Sequence, residues 1–223
     1  MARPSQSHQK RDTMLPVLAR AFAELGYRRA TTAELARRCG VRENVLYRLW
    51  PDKRAMFIAA IGHVYDASRR IWSELLARRD GGTAAERLLA YESRHHGEFG
   101  LYRILFAGLG ETEDAEIREA LGRTFARFQG YLRDRIADHR EAAGDEAGPD
   151  ADQRAWAVVG LGTLANIGAE LGLLTPRARR DLLAGVGRLL LEGCPSGGLT
   201  PGCAAPAGAK TRAKRRARES GAP

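Results

Sequence analysis

Apolar residues recur at intervals of three or four positions along most of the chain, and this spacing constrains the fold more than any other feature. Gly, Pro and residues suited to helix caps separate the periodic segments. Thr31 and Thr83 each begin a T-x-x-E pattern typical of a helix start, and Gly26 and Gly40 are typical helix stops. No alternating strand pattern of useful length is present. The sequence therefore predicts an all-α protein of about nine helices.

Charge and composition divide the chain into segments. Residues 1–57 contain 12 Lys and Arg against 5 Asp and Glu, residues 210–219 contain 6 against 1, and the rest is mildly acidic. A basic N-terminal region on a mildly acidic body indicates a polyanionic partner for that region alone. The predicted segments are a disordered basic arm (1–12), a three-helix head (13–57), a helical body (58–193) and a disordered basic tail rich in Gly, Pro and Ala (194–223).

The stretch 31–50 predicts two short helices joined by a tight turn at Gly40, which is a helix-turn-helix. The second helix carries polar residues that a core does not need. Arg42 and Arg48 suit guanine, Asn44 suits adenine, and Glu43 either accepts from cytosine or repels wrong sites. Phosphate contacts are expected from Thr31, Tyr47 and Lys53. The alternative is an ordinary solvated helix face.

Residues 13–60 resemble the DNA-binding domain of the TetR family of transcriptional regulators. The resemblance is carried by Phe22, Gly26, Tyr27, Thr31, Leu35, Ala36, Gly40, Val41, Leu46, Tyr47, Trp50 and Lys53. It implies a homodimeric regulator, most often a repressor, that binds a palindromic operator. Two positions depart from the family pattern, which has small hydroxyl residues there. Arg42 leaves the third helix without the usual cap, and Val45 is expected to touch a thymine methyl group instead.

The resemblance also implies a C-terminal domain that dimerises through its last two helices and holds a small-molecule pocket among the central ones. The residues support the dimer independently, because the eighth helix is apolar on two faces and needs neighbours on both. The expected interface residues are Leu161, Leu164, Gly168, Gly172, Leu182, Val186 and Leu189. Burial of this helix within a monomer is the alternative.

Aromatic residues at helical spacings in the body are candidates for the pocket, although such stripes also form plain cores. Glu92, His95 and Arg103 are available for the few polar contacts that a ligand requires. The expected pocket residues are Tyr65, Trp72, Tyr91, Glu92, His95, Tyr102, Arg103, Phe106, Phe125 and Phe128. The effector itself is not identified by the sequence.

Other functional classes find little support in the sequence. There is no Gly-rich phosphate loop, H-E-x-x-H or G-x-S-x-G motif, so an enzyme is not expected, and neither is a cofactor. His95 and His96 are adjacent and point about 100° apart on a helix, which disfavours a shared metal. Asn166 and Glu170 interrupt the one apolar stretch long enough to span a membrane, 155–174, so a cytoplasmic protein is expected. A constitutive or architectural DNA-binding protein without an effector remains the alternative.

Overall fold

The computed structural model describes residues 6–77, 81–144 and 150–192, and these residues form helices and connecting turns without a strand. The helices are α1 (Gln6–Arg29), α2 (Thr32–Arg38), α3 (Glu43–Leu49), α4 (Lys53–Ala77), α5 (Ala84–His95), α6 (Tyr102–Leu109), α7 (Ala115–Ala143), α8 (Ala151–Glu170) and α9 (Pro176–Glu192). The all-α prediction is confirmed.

Side chains cap most of these helices where the sequence predicts a start. The Asp114 carboxylate accepts from the backbone N–H groups of Glu116 and Ile117 at the start of α7. Thr83 forms a complete capping box with Glu86 at α5. At α2 only half of the predicted box is present: Thr31 accepts from the Glu34 N–H, whereas the Glu34 carboxylate binds Arg37 and Arg38. These arginines lower the pKa of Glu34 to about 2.

The prediction of a disordered arm over residues 1–12 is wrong for its second half, because α1 begins at Gln6. Pro16, expected in the first turn, therefore lies inside the helix. The first turns of α1 contact a residue that is distant in sequence, and the spacing of apolar residues does not reveal this contact. The Arg11 guanidinium donates to the Leu49 carbonyl oxygen at the end of α3. Residues 1–5 lie outside the described part of the chain, as do residues 145–149 of the loop predicted at 144–150 and the tail at 194–223.

Two helix boundaries in the body differ from the sequence expectation. α6 begins at Tyr102 instead of Phe99, because Gly97 and Gly100 adopt left-handed conformations with φ of 72° and 65° before it. α8 ends at Glu170 instead of Leu174, because the chain reverses at Gly172, where φ is 67°. Only glycine adopts a left-handed backbone conformation at these positions without a steric penalty from a Cβ atom.

One apolar core joins the head to the body. Phe22 of α1 meets Phe57 of α4 edge to face at 5.0 Å, and both side chains are fully buried. The same cluster continues through Ile104 of α6 and Ile117 of α7. α4 itself runs from the head into the body without a break. α4 therefore connects the body to the head as one continuous helix.

Exposed ion pairs add to this connection; we call them the head-to-body ion pairs. Arg28 Nε lies 2.8 Å from Glu111 Oε1. Arg54 lies 3.0 Å from Glu116 Oε1 and 3.5 Å from Asp114 Oδ2. Hydrogen bonds from the backbone of α7, with a further contribution from Arg54, lower the pKa of Asp114. Because the pairs are solvent-accessible, each contributes little stability alone.

Thr83→Ala should destabilise the protein by about 1 kcal/mol, because the first turn of α5 loses its cap. The substitution also removes the contact between the Thr83 hydroxyl and His139 Nδ1, at 2.8 Å. The expected fall in melting temperature is about 2 to 4 °C for a chain of this size, measured by circular dichroism. Thr13→Ala is the control, because the Thr13 hydroxyl only bonds back to Gln9 within α1. An equal loss in both variants would contradict the capping role.

The same capping box should weaken in acid. The Thr83 backbone N–H, followed by its side chain, lowers the pKa of Glu86. The stabilising carboxylate is therefore present at neutral pH and is lost as the pH falls through that lowered pKa.

Candidate nucleic-acid interface and internal cavity

The α2–turn–α3 unit holds the outer face of α3 toward solvent. Leu35 of α2 and Leu46 of α3 are fully buried, and Gly40 makes the turn with a φ of 66°. The Val41 N–H donates to the Ala36 carbonyl oxygen at 3.0 Å, which fixes the entry into α3. α3 is thus oriented by its buried side and by a hydrogen-bonded turn.

The predicted DNA-contacting residues lie on or beside this face. Six are exposed and two are half-buried; the exposed ones are Thr31, Arg42, Glu43, Asn44, Tyr47 and Arg48, and the half-buried ones are Val45 and Lys53. Arg42 occupies the cap position of α3 without a side-chain cap, as its departure from the family pattern predicts. The exposed donors therefore include two guanidiniums and one amide, which are groups that read base edges in the major groove.

Two of the expected phosphate-binding side chains are positioned by neighbours. The Tyr47 hydroxyl donates to Thr32 Oγ1 at 3.2 Å, which connects α3 to the start of α2. The Lys53 ammonium donates to the Tyr27 carbonyl oxygen at 3.1 Å and lies 4.5 Å above the centroid of the Tyr27 ring. An ammonium group has three donors, so Lys53 keeps N–H groups available for a phosphate.

Arg11 is a residue of this site that the sequence does not reveal. Its guanidinium binds the Leu49 carbonyl oxygen and lies 5.7 Å from the centroid of the Trp50 ring. A positive charge is favourable at the C-terminus of a helix, where carbonyl oxygens lack partners. Arg11 therefore holds the end of α3 from a position 38 residues away in sequence.

Arg11→Gln should weaken operator binding about three- to tenfold, because α3 loses a charge-assisted hydrogen bond that fixes its orientation. Fluorescence anisotropy on operator and random duplexes measures the effect. Lys10→Gln removes a charge from the adjacent, exposed position and serves as the control. A matching loss in that variant on both duplexes would indicate that Arg11 contributes only charge.

A cavity of about 240 Å³ lies in the body and is lined by residues of α4, α5, α6, α7, α8 and α9. Eight of the ten predicted pocket residues line it: Trp72, Tyr91, Glu92, His95, Tyr102, Phe106, Phe125 and Phe128. The other two do not. Tyr65 belongs to the core, with its ring 5.1 Å from Phe128 and the Arg127 guanidinium 4.1 Å away. Arg103 forms an ion pair with Glu170 at 2.7 Å.

A hydrogen-bonded chain of polar groups, here called the Glu92 network, crosses the cavity wall. Glu92 Oε1 accepts from Trp72 Nε1 at 2.7 Å, and Glu92 Oε2 lies 2.8 Å from His96 Nδ1. His96 Nε2 lies 3.0 Å from the Gly162 carbonyl oxygen and 3.1 Å from Asn166 Nδ2. The network joins α4, α5 and α8, and it contains His96, which was not among the predicted pocket residues.

The two adjacent histidines have separate partners. His95 Nδ1 lies 2.8 Å from Glu98 Oε2, while His96 belongs to the Glu92 network. Among the described residues, no group of three His, Cys, Asp or Glu side chains is arranged to hold a metal ion.

Large apolar side chains remain exposed along one side of α8 and on α9. We call Trp156, Leu164, Ile167, Leu171 and Leu189 the α8–α9 apolar face. Of the predicted interface residues, Leu164 and Leu189 lie on this face, and Leu182 and Val186 are half-buried. Within the described ranges, no helix is long and apolar enough to cross a membrane.

Three predicted interface residues lie elsewhere. Leu161 lines the cavity. Gly168 is buried, and a Cβ there would stand 2.6 Å from a methyl carbon of Leu174. Gly172 makes the turn after α8. Helical spacing does not distinguish these inward and turn positions from the exposed face.

The sequence profile described as "Bacterial regulatory proteins, tetR family" matches residues 16–60, which contain most of α1, all of α2 and α3, and the start of α4. Residues 16–60 therefore form a DNA-binding domain of the TetR family. The match covers the helix-turn-helix, whereas Arg11, which binds the end of α3, lies before it. The chain accordingly contains a helix-turn-helix DNA-binding domain of the kind found in TetR-family regulators.

Relatives and solved structures extend the similarity into the body. The nucleoid occlusion factor SlmA of Vibrio campbellii is 29% identical over 144 residues, which are 61% of this chain and 71% of that protein. A TetR-family regulator from Rhodococcus sp. superposes with a TM-score of 0.71 at 20% identity, over 82% of this chain and 99% of that one. FadR of Bacillus subtilis, solved with stearoyl-CoA, gives a TM-score of 0.64 at 16% identity and covers 82% and 99%. The structural matches show a common fold.

Proposed function

We propose that this TetR-family protein is a repressor that binds a palindromic operator as a homodimer and releases it when a small molecule occupies the internal cavity. The observation that carries the proposal is the exposed polar face of α3, which presents Arg42, Asn44 and Arg48 while Leu46 is fully buried. A face of this chemistry suits the major groove. Two such heads should lie roughly 34 to 40 Å apart on successive turns of DNA.

The α8–α9 apolar face supports the homodimer. Its exposed members include Leu164 on α8, Leu171 directly after α8 and Leu189 on α9, and groups of exposed apolar side chains mark interaction sites. Packing α8 and α9 against the same helices of a second copy buries the face in a four-helix interface. It also fixes the separation of the two heads.

The cavity and α4 support control by an effector. The wall of the cavity includes Trp72 of α4, and α4 begins at Lys53 in the head. An occupant that moves α4 changes the distance between the heads. An effector favouring the DNA-incompetent arrangement by ~3 kcal/mol lowers operator affinity more than a hundredfold. FadR, solved with stearoyl-CoA, illustrates ligand binding on this fold.

A constitutive architectural role is the second candidate. The relative named nucleoid occlusion factor SlmA favours it, because that name refers to the nucleoid and to no ligand. The two functions differ in one property. A ligand-responsive repressor loses its operator on effector binding, whereas an architectural protein does not need to.

Selection of bound duplexes from random DNA with the full-length protein tests the proposal. The expected product is a palindrome whose half-sites are about one helical turn apart. Titration of that duplex with a metabolite library should then identify compounds that release it. Enrichment of no sequence would contradict specific binding. A palindrome that no compound releases would favour the constitutive alternative.

A further inference from the structure

The cavity meets the solvent at one place in its wall. Most of the described residues that line it are buried or half-buried, and only His95, Glu98 and Phe99 among them are exposed. Phe99 exposes 60% of its surface. These three residues lie within five consecutive positions, at the end of α5 and in the turn that follows it. Because an exposed side chain that lines the cavity marks its border with solvent, the mouth of the cavity lies at this turn.

The two ends of the α5–α6 turn, residues 96–101, are anchored to α8. A Cβ atom at Gly97 would stand 2.4 Å from Asn166 Oδ1, so the backbone is packed against α8 at this point. Directly after the turn, the Tyr102 hydroxyl donates to Glu170 Oε1. The middle of the turn, which carries Phe99, is held between these two anchors.

The backbone between the anchors is suited to movement. Gly97 and Gly100 adopt left-handed conformations and stand on either side of Glu98 and Phe99. Around a Cβ atom built at Gly100, no other described group lies within 4 Å, apart from its neighbours in the chain. Glycine tolerates backbone angles that other residues do not, and lids absorb their movement at a few such loop positions.

One side-chain contact closes the turn, and we call it the His95–Glu98 latch. His95 Nδ1 lies 2.8 Å from Glu98 Oε2, and the two side chains are 42% and 57% exposed. The His95 ring also stacks on Tyr91 at 4.6 Å, and Tyr91 belongs to the cavity wall. The latch thus holds the turn to α5. Because an exposed contact of this kind contributes little stability, the latch opens easily.

Where α5 meets α8 and α9, the cavity wall is closed by tightly packed helices. A Cβ atom at Gly187 of α9 would stand 2.3 Å from a methyl carbon of Leu89 on α5. A Cβ atom at Gly162 of α8 would stand 3.0 Å from the His96 ring. A molecule that passes between these helices must separate close-packed surfaces. Passage at the α5–α6 turn requires only that Phe99 and its turn move aside.

We propose that the α5–α6 turn is the gate through which small molecules enter and leave the cavity. In this gate, Phe99 is the side chain that moves aside, and the His95–Glu98 latch holds the turn closed. The inference rests on the proposed function, because it concerns access to the same effector site. A gate of this kind sets the rate at which a molecule reaches the cavity.

Reaction of a buried cysteine with methyl methanethiosulfonate measures access to the cavity without requiring the effector. Val64→Cys places a thiol in the cavity wall, since Val64 lines the cavity and is 6% exposed. In the full-length chain, Phe99→Ala should raise the labelling rate of this thiol about fivefold or more, because the side chain at the mouth is removed. Peptide mass spectrometry measures the rate. Ser68→Cys, which lines the same cavity, is the second reporter if Val64→Cys does not fold.

Leu109→Ala is the matched control for Phe99→Ala. Leu109 is likewise apolar and exposed, at 53%, but it does not line the cavity, so labelling at Val64→Cys should stay unchanged. Ala19→Cys lies in the buried core of the head and reports opening of the whole chain. An unchanged rate at Val64→Cys in Phe99→Ala, equal acceleration by Leu109→Ala, or equal acceleration at Ala19→Cys overturns the proposal.

Glu98→Gln tests the latch, with Glu74→Gln as its control. Both glutamates are exposed, but Glu74 lies on α4 and does not line the cavity. Loss of the carboxylate weakens the contact with His95, so labelling at Val64→Cys should become about twofold faster in Glu98→Gln alone. Equal rates in the two variants contradict the role of the latch.

Operator titrations performed in parallel separate this inference from the function on which it rests. If Phe99→Ala leaves labelling unchanged while the palindrome is bound and a compound releases it, the gate is wrong and the repressor function stands. If Phe99→Ala accelerates labelling as expected but no duplex is selected, the gate stands as the entrance to the cavity and the operator function is wrong.

Discussion

Leu164→Arg is expected to convert the proposed dimer to monomers and to abolish specific operator binding at concentrations where the unchanged protein is saturated. Leu164 is 58% exposed in the single chain and lies within the proposed interface. Two-fold symmetry places the new charge in that interface twice. An unpaired charge buried at an interface costs several kcal/mol. Sedimentation velocity measures the mass, and circular dichroism verifies the fold.

Leu109→Arg is the matched control for this substitution. Leu109, on α6, is similarly apolar and 53% exposed, but it is remote in sequence from α8 and α9. The Leu109→Arg substitution should leave the sedimentation coefficient and the operator affinity unchanged. A well-folded Leu164→Arg dimer would place the interface on another surface.

Arg48→Ala and Asn44→Ala are each expected to lose ~1 to 3 kcal/mol on the operator and little on random DNA, because base-edge contacts carry sequence information. Both side chains are exposed on α3, so neither substitution should affect folding. Competition titrations with operator and random duplexes measure the two affinities separately.

Lys53→Ala should behave differently, because phosphate contacts do not depend on sequence. It is expected to weaken both duplexes alike and to reduce the slope of log affinity against log salt by about one. The Tyr27 carbonyl oxygen and ring hold Lys53 in place, so Lys53→Arg is a useful companion that keeps the charge. Equal losses on both duplexes for Arg48, Asn44 and Lys53 would contradict the division between base and phosphate contacts.

The features that could be predicted from sequence are those determined within a few residues. The cap at Asp114, the capping box at Thr83 and the turn at Gly40 each depend on neighbours three or four positions away. The start of α1 could not be found in this way, because α1 is extended by a contact between Arg11 and Leu49. The end of α8 was misplaced although its signal is local: the chain turns at Gly172, and the N–H groups of Leu173 and Leu174 donate to the Gly168 carbonyl oxygen.

The cavity shows the same limit at the level of side chains. Helical spacing identified aromatic residues such as Trp72 and Phe128 as one inward-facing set, but it does not indicate which of these side chains reach the cavity. Tyr65 therefore looked equivalent to them, although it is part of the core. His96 was missed because its partners come from two helices, Glu92 from α5 and Gly162 from α8.

The head-to-body ion pairs affect how a salt titration of DNA binding must be interpreted. Arg28, Arg54 and their acidic partners are solvent-accessible, so added salt screens them over the same concentration range in which it displaces protein from phosphates. A head that is held less firmly by the body loses more orientational entropy when it binds DNA. The measured salt slope therefore contains an intramolecular contribution, and phosphate contacts counted from it will be too many. Glu111→Gln and Glu116→Gln together break two of these pairs, so a smaller slope in that variant would measure part of the intramolecular contribution.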